Sequence, residues 1–460
     1  MSAKPVVVIF VVGKTNKKLF LFDENYQIVF EKSARFIETV DEDGFPCENL
    51  ESLRLSVFDS LSEVFRLKEF NIKAVNFSSY GASFVYVGED GKPVAPLYNY
   101  LKPYPEDISE KFYKKYGGEE CFSQQTASPV LGSLNSGLQL YRLKIEKPEI
   151  FNQVKYALHL PQYLSFLLTG VYCSDLTSIG CHTAMWDFEQ DRYHEWIQRE
   201  GIALKLPPII PANKVAPPLF PGTSYKIGCG LHDSSAALIP YLVNFTEPFV
   251  LISTGTWCIS LNPFNQHNLT QDELKKDCLS FLQYKGKPVK ASRLFSGNEY
   301  EQQVKRIAAH FNTDIIKFRN ITYNPDIIKK IKQKQPQVRY EDDFKKESVF
   351  GTRDLAGFRN DTEAYHQLVL DLVNLQAAST QLVLKGTPVK RIFVDGGFSK
   401  NNVFMNLLAA EFNNLEVFAA SMAQASAVGA ALTVHSAWNG KAVPNDIIQL
   451  KYFSAGRAEP

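Results

Sequence analysis

A chain of 460 residues has room for two or three domains with large cores, and 45% hydrophobic against 22% charged residues is an ordinary globular balance. A formal net charge of +1 gives no global field that would draw nucleic acid or an anionic membrane surface, and no apolar run nears the ~18 residues of a membrane span. The seven cysteines form no C-x-x-C pair and have no histidine pair at zinc spacing, so they read as reduced thiols of a cytoplasmic protein.

The chain opens with "VVVIFVVGKTNKKLFLFDE", residues 6 to 24. Gly13-Lys14-Thr15 looks like the end of a P-loop, but that loop needs a glycine five residues earlier, and Val8 stands there. A P-loop also leads into a helix, whereas "KLFLFD" alternates like a second strand. The stretch is expected to be a hairpin. Residues 49 to 67 carry apolar residues at helical spacing, and "IKAVNFSS" and "SFVYVGEDGKPV" read as strands. "GCGLHD", 228 to 233, begins like a dinucleotide fingerprint but puts Asp233 at the third glycine position. Residues 249 to 261, "FVLISTGTWCISL", repeat the opening pattern of apolar run, Gly/Thr turn and second apolar run. The mixed-charge run 329 to 347, broken by Pro336, is expected to be a solvated helix end and loop. A long helix is expected over 363 to 384. "RIFVDGG", 391 to 397, followed by "NNVFMNLLAAEF", gives strand, Gly-Gly turn and helix, which is α/β architecture.

The two hairpins lie about half a chain apart, which suggests two lobes of related design. The expected domains are 1–245 and 246–460, joined near the polar, Pro-containing stretch 241 to 249. Hairpin tips of this kind can present backbone N–H groups to an anion without a helix dipole.

Four pieces, "VVGKTNKK", "GLHDSSAAL", "STGTW" and "VDGGFSKNN", resemble in order and spacing the FGGY carbohydrate kinases of the actin/hexokinase/Hsp70 superfamily. The resemblance runs nearly end to end and comes closest to the rhamnulokinase and fuculokinase branch. It implies two actin-like (ribonuclease H-like) domains with mixed five-stranded sheets flanked by helices, and an active site in the cleft between them. The implied reaction is ATP-dependent, Mg²⁺-assisted phosphorylation of a sugar hydroxyl, the primary hydroxyl of a ketose such as L-rhamnulose or L-fuculose. Asp233 is the implied general base and a metal-side carboxylate; without the resemblance it reads first as a helix N-cap. On the ATP side the resemblance implies Gly13, Lys14, Thr15, Asn16, Thr254, Gly255, Thr256, Gly297, Gly396, Gly397 and Asn401, the last also a natural cap for the helix after it. On the sugar side it implies Gly81, Ala82, Tyr100, His232 and Asp233. "SSYGAS" (78 to 83) and "SDLTSIG" (174 to 180) resemble the family's substrate-side segments.

Two departures stand out. The segment "YNYLKPYP" lacks the acid the family often has there, and Val11 occupies the place of the family's metal-holding aspartate. The departures leave open a weakened sugar or nucleotide sensor of the same fold, and a xylulose or other polyol kinase. The expected partners are ATP and a small sugar, without nucleic acid or membrane, and a homodimer stays open.

Overall fold

The computed structural model describes residues 3–14, 16–35, 37–220, 224–334, 346–422 and 424–454. Thr15 and residues 335–345 of the charged run fall outside them. The chain forms two compact units. The first holds residues 1–244, 280–288 and 424–447; the second holds 245–279, 289–423 and 448–460.

The first unit is built on β1 (Lys4–Val12), β2 (Asn16–Asp23), β3 (Ile28–Arg35), β4 (Phe70–Ser79), β5 (Val215–Ala216), β6 (Lys226–Gly228) and β7 (Leu231–His232). The apolar runs around Gly13 pair antiparallel, with Val12 opposite Lys17, so the opening stretch is the expected hairpin. Sheet order is β3-β2-β1-β4-β6-β5, with β7 also on β4. β2 and β3 are antiparallel additions, while β4 and β6 run parallel. Val6, Val8, Phe10 and Val12 alternate onto one core with Leu53, Val57 and Leu61 of the helix Leu50–Phe65. That helix starts where the Asn49 side chain accepts the Ser52 N–H at 2.8 Å.

The second sheet repeats the plan with β8 (Phe249–Thr254), β9 (Cys258–Asn262), β10 (Cys278–Leu282, of which 280–282 group with the first unit), β11 (Pro288–Leu294), β12 (Arg391–Gly396), β13 (Glu416–Ser421) and β14 (Gln449–Phe453). Its order is β10-β11-β9-β8-β12-β13-β14. Strands β11-β9-β8-β12-β13 match β3-β2-β1-β4-β6 in order and in every parallel or antiparallel relation. The expected five-stranded mixed core is thus present twice, and each sheet reaches seven by extra strands. In the first unit these are β5 and the short β7, which resumes beside β4 after β6. In the second they are β10 and β14 at the edges. The 24-residue helix Asp361–Leu384 forms the spine of the second core, buried along most of its length.

Residues 424–447 group with the first unit for a packing reason. The helix Ala425–Thr433 is made of small residues and lies so close to the helix Asp233–Asn244 that a Cβ on Gly429 would sit 1.9 Å from the Ala236 carbonyl oxygen. Among the described residues, no helix is long and apolar enough to cross a membrane.

Candidate functional site

In the first unit the chain leaves β7 and turns at once into the helix Asp233–Asn244, so Asp233 stands at a helix N-terminus. Its Oδ1 accepts the N–H of the next residue, Ser234, at 2.7 Å. An N-cap side chain reaches the second or third amide instead, so Asp233 does not spend its carboxylate as an ordinary cap. Among the described residues no lysine or arginine pairs with it, and its one ring partner is His232, Nε2 to Oδ1 at 3.3 Å. Burial holds the His232 ring near a pKa of about 4, so this contact is a neutral hydrogen bond and not an ion pair. Desolvation by the surrounding protein pushes Asp233 up to about 6. The 37% of its side-chain surface left open to water moderates that rise and gives a reactant access.

His232 is fixed from several directions. Its backbone N–H donates to Thr177 Oγ1 at 3.0 Å, and Thr177 in turn bonds to the buried Asp175. The segment "SDLTSIG" thereby acts as a support for the histidine. Cys181 Sγ lies 3.2 Å from Nε2, and Phe281 stacks on the ring. A Cβ on Gly81 would meet the imidazole at 2.8 Å, so glycine leaves the room the ring occupies. Ala82 takes φ +60°, uncommon for a residue with a Cβ, and its carbonyl is held by Gln139 Nε2 at 2.6 Å. Gln139 also lines a small cavity together with Asn99, Lys102 and Ser133.

At the first hairpin tip, Gly13 N–H donates to the Asn16 carbonyl at 3.0 Å, and Asn16 is exposed. The Lys14 ammonium is not left free for a phosphate. It bonds Glu48 at 2.5 Å and lies over the rings of Tyr80 and Tyr100, 5.4 and 5.0 Å from their centres. Burial raises the Tyr100 hydroxyl, and the nearby Glu48 and Asp233 carboxylates raise it further. Glu48 escapes sequence reasoning because it lies 34 residues from its partner, in a three-residue strand. Val11 is a half-buried strand residue opposite Lys18 and Ser78.

In the second unit the tip is bonded into its surroundings. Thr254 Oγ1 donates to the Asp395 carbonyl at 2.5 Å and accepts the Phe398 N–H at 3.0 Å. Without a ligand its hydroxyl hydrogen is directed at the Asp395 carbonyl. The Gly255 N–H is likewise taken by the Trp257 carbonyl at 2.9 Å, and the Thr256 carbonyl accepts Asn298 N–H at 3.2 Å. Gly297 and Gly396 serve close backbone approach, since added Cβ atoms would lie 1.8 Å from the Gly255 oxygen and 1.9 Å from the Thr254 oxygen. For Gly396 the crowding is by the neighbouring strand and not by a ligand. Gly397 faces open space. Asn401 caps the helix Asn402–Glu411 by accepting Phe404 N–H at 3.1 Å, while its Nδ2 donates to Tyr365 at 2.9 Å. Gly255, Thr256, Gly297, Gly397 and Asn401 all line one open cavity. Tyr300, Glu301, Phe318, Arg319, Phe398 and Lys400 complete its wall. Sequence reasoning missed these because isolated aromatic and charged residues carry no motif.

Among the described residues no group of three or more histidines, cysteines, aspartates or glutamates is placed to hold a metal ion. Mg²⁺ in phosphoryl transfer leans on nucleotide phosphates, water and one or two carboxylates, so Asp233 alone fits a Mg²⁺ delivered with the nucleotide.

The description "FGGY family of carbohydrate kinases, N-terminal domain" matches residues 6–239, and "Carbohydrate kinase FGGY, C-terminal domain" matches 246–442. A rhamnulokinase of Halalkalibacterium halodurans is 23% identical over 279 residues, 54% of each chain. One of Mannheimia succiniciproducens is 26% identical over 156 residues, 34% of this chain and 32% of that one. The chain thus spans about half the length, or less, of these curated relatives. Among solved structures, a carbohydrate kinase from Novosphingobium aromaticivorans superposes with a TM-score of 0.80 at 21% identity, covering 98% of this chain and 95% of that one. A xylulose kinase from Lactobacillus acidophilus gives 0.75 at 15% identity, covering 98% and 94%. These two likenesses establish the shared fold.

Proposed function

Because this chain belongs to the FGGY family of carbohydrate kinases, we propose that it transfers the γ-phosphoryl group of ATP to a sugar hydroxyl, with Asp233 as general base. One observation carries the reading. Asp233 is a carboxylate at a helix N-terminus, open to water over 37% of its side-chain surface, with no cationic partner among the described residues and a proton affinity raised to about 6. A base poised near the working pH and not neutralised by a lysine or arginine is what removal of a hydroxyl proton needs. His232, neutral, orients the carboxylate through Oδ1, which leaves Oδ2 for the hydroxyl. The cavity of the second unit takes the nucleotide between its glycines and the Tyr300 and Asn401 side chains. Bound Mg²⁺ supplies charge neutralisation at the transferring phosphoryl group.

The preferred acceptor is the primary hydroxyl of a six-carbon ketose such as L-rhamnulose or L-fuculose. The names of the curated relatives support it, and xylulose is the competitor that the names of several fold neighbours bring in. A second reading, a weakened kinase or a sensor, is favoured by Val11 near the end of β1, whose side chain has no oxygen to offer a metal ion.

The test is a kinase assay across ketoses, glycerol and gluconate, with and without Mg²⁺, on the parent and on Asp233→Asn. Turnover of a ketose should fall about a hundredfold or more in the variant, the scale for a positioned base. A folded Asp233→Asn protein that turns over like its parent removes the assignment. Nucleotide binding without turnover of any sugar supports the sensor.

A further inference from the structure

We infer that Tyr300 donates a hydrogen bond to a nucleotide held in the cavity of the second unit, and that Tyr365, behind the cavity wall, sets the direction of that donor. The inference rests on the nucleotide reading of the cavity given above.

The direction follows from the helix cap. Asn401 Oδ1 accepts the Phe404 N–H at 3.1 Å, which fixes which end of the amide faces the helix. Its Nδ2 therefore faces Tyr365, and an amide nitrogen can only donate, so the Tyr365 oxygen accepts at 2.9 Å. Tyr365 is fully buried, on the helix Asp361–Leu384, with its ring stacked on Phe318 at 5.2 Å. Its only other oxygen contact among the described residues is the Tyr300 hydroxyl at 3.1 Å. The Tyr365 hydrogen must go there, because the reverse order would leave a hydroxyl hydrogen unpaired in the core, the costlier arrangement. Tyr300 then accepts from Tyr365, and its own hydrogen has no partner among the described residues.

Tyr300 is half-buried, and it lines the cavity together with Asn401 and Phe318. Its ring packs edge-on against Phe398 at 5.2 Å, which limits where the hydroxyl can turn. The unspent hydrogen is thus offered to a ligand in the cavity. On an adenosine ligand, the groups able to accept it are a ring nitrogen or a ribose oxygen. Tyr300 is the contacting residue, and Tyr365 is a positioning residue acting through it.

Calorimetric titration of the full chain with ADP tests this, using the parent, Tyr300→Phe and Tyr365→Phe. Tyr300→Phe should weaken binding about fivefold to tenfold, the range of one net hydrogen bond, and Tyr365→Phe about threefold. With ATP and sugar, KM for ATP should rise while kcat at saturation holds. The titration is repeated with 1-deaza, 3-deaza, 7-deaza and 2′-deoxy analogues. For one of them the loss caused by Tyr300→Phe should vanish, because the acceptor is already gone. A parent that binds no ADP overturns the nucleotide reading and the inference together. A parent that binds ADP, with Tyr300→Phe binding equally well, overturns the inference alone. An unchanged Tyr300→Phe penalty across every analogue also overturns it, since the hydroxyl would then act through packing. If Tyr365→Phe fails to fold, the Tyr300 series still decides the donor.

Discussion

The hairpin tips at Gly13 and Gly255 occupy the same place in two sheets of matching strand order, yet they are held in different ways. Around Gly255 the protein spends almost every donor on itself. Thr254 bridges Asp395 and Phe398, Gly255 bonds Trp257, and two glycines let backbone segments approach where no Cβ would fit. Around Gly13 a backbone hydrogen bond from Gly13 to Asn16 closes the turn, and the Lys14 side chain ties it to Glu48. A common topology therefore fixes where a tip stands but not how much freedom its residues keep. In the second unit the tip is part of a bonded cluster, so its chemistry comes from what surrounds it. In the first the Lys14 side chain carries the tie to the rest of the unit.

The contrast is sharpest in paired glycine substitutions. Gly396→Ala adds a methyl 1.9 Å from the Thr254 oxygen at a residue with φ +91°. It should cost roughly 3 kcal/mol or more, through backbone strain and displacement of the strand contact. Gly13→Ala meets its nearest atom, the Asn16 oxygen, at 3.4 Å and needs no left-handed conformation. It should cost less than about 1 kcal/mol. Urea unfolding of both variants checks this, and equal losses would erase the comparison.

Val11→Asp comes next. A carboxylate at the end of β1 would add one anionic contact for a Mg²⁺-nucleotide, and a preorganised electrostatic contact is worth about 3 kcal/mol, on the order of a hundredfold in rate. The variant should raise kcat at low Mg²⁺ and leave sugar affinity nearly unchanged. Mg²⁺ titration curves that overlap with the parent's would show that this tip does not face the metal.

Lys14 separates a structural tie from a phosphate contact. Glu48 is 4% exposed and Lys14 26%, so removing the cation strands a mostly buried carboxylate. Lys14→Met should destabilise by about 1–2 kcal/mol, less than a fully buried pair because the lysine is partly solvated. Adding Glu48→Gln should restore most of that. Unchanged stability with a raised KM for ATP would instead make Lys14 a phosphate ligand.

Much of this was legible in the sequence because both hairpins are written in neighbouring residues, as apolar runs either side of a Gly/Thr turn. Asp233 was legible for the same reason, since the strand, the aspartate and the helix follow one another directly. What stayed hidden depends on partners distant in sequence. Nothing near Lys14 announces Glu48, and nothing in "EAYHQLV" shows that Tyr365 reaches Asn401, 36 residues away. The helix Ala425–Thr433 reads as generic small residues until Gly429 is seen against Ala236. Nothing near Thr254 in the sequence announces Asp395 and Phe398, which its hydroxyl bonds from more than 140 residues away.

The smallest expected effect is on stability, and it sets Asp233 apart from the neutral tip of the second unit. Desolvation raises the folded-state value of Asp233 to about 6, against about 3.9 for an unperturbed aspartate. The folded protein therefore holds this proton more tightly than the unfolded chain does. Above pH 6 the folded state carries a charge it disfavours. As the pH falls from 7 towards 4, this group adds stability, and the gain saturates once the unfolded chain is protonated too. Asp233→Asn has nothing to titrate at this position. The variant should thus be more stable than the parent at pH 7, with the difference shrinking as the pH falls towards 4, and the open surface of the carboxylate keeps the whole effect modest. The rate runs the other way, since only the ionised carboxylate can accept a proton. The parent's kcat/KM should drop below about pH 6 with a slope of one. Thermal unfolding of both proteins between pH 4 and 8, set beside the parent's pH–rate profile, checks the pairing. A stability difference independent of pH would mean that Asp233 titrates like a solvated surface aspartate, without the desolvation that makes it a base near neutral pH.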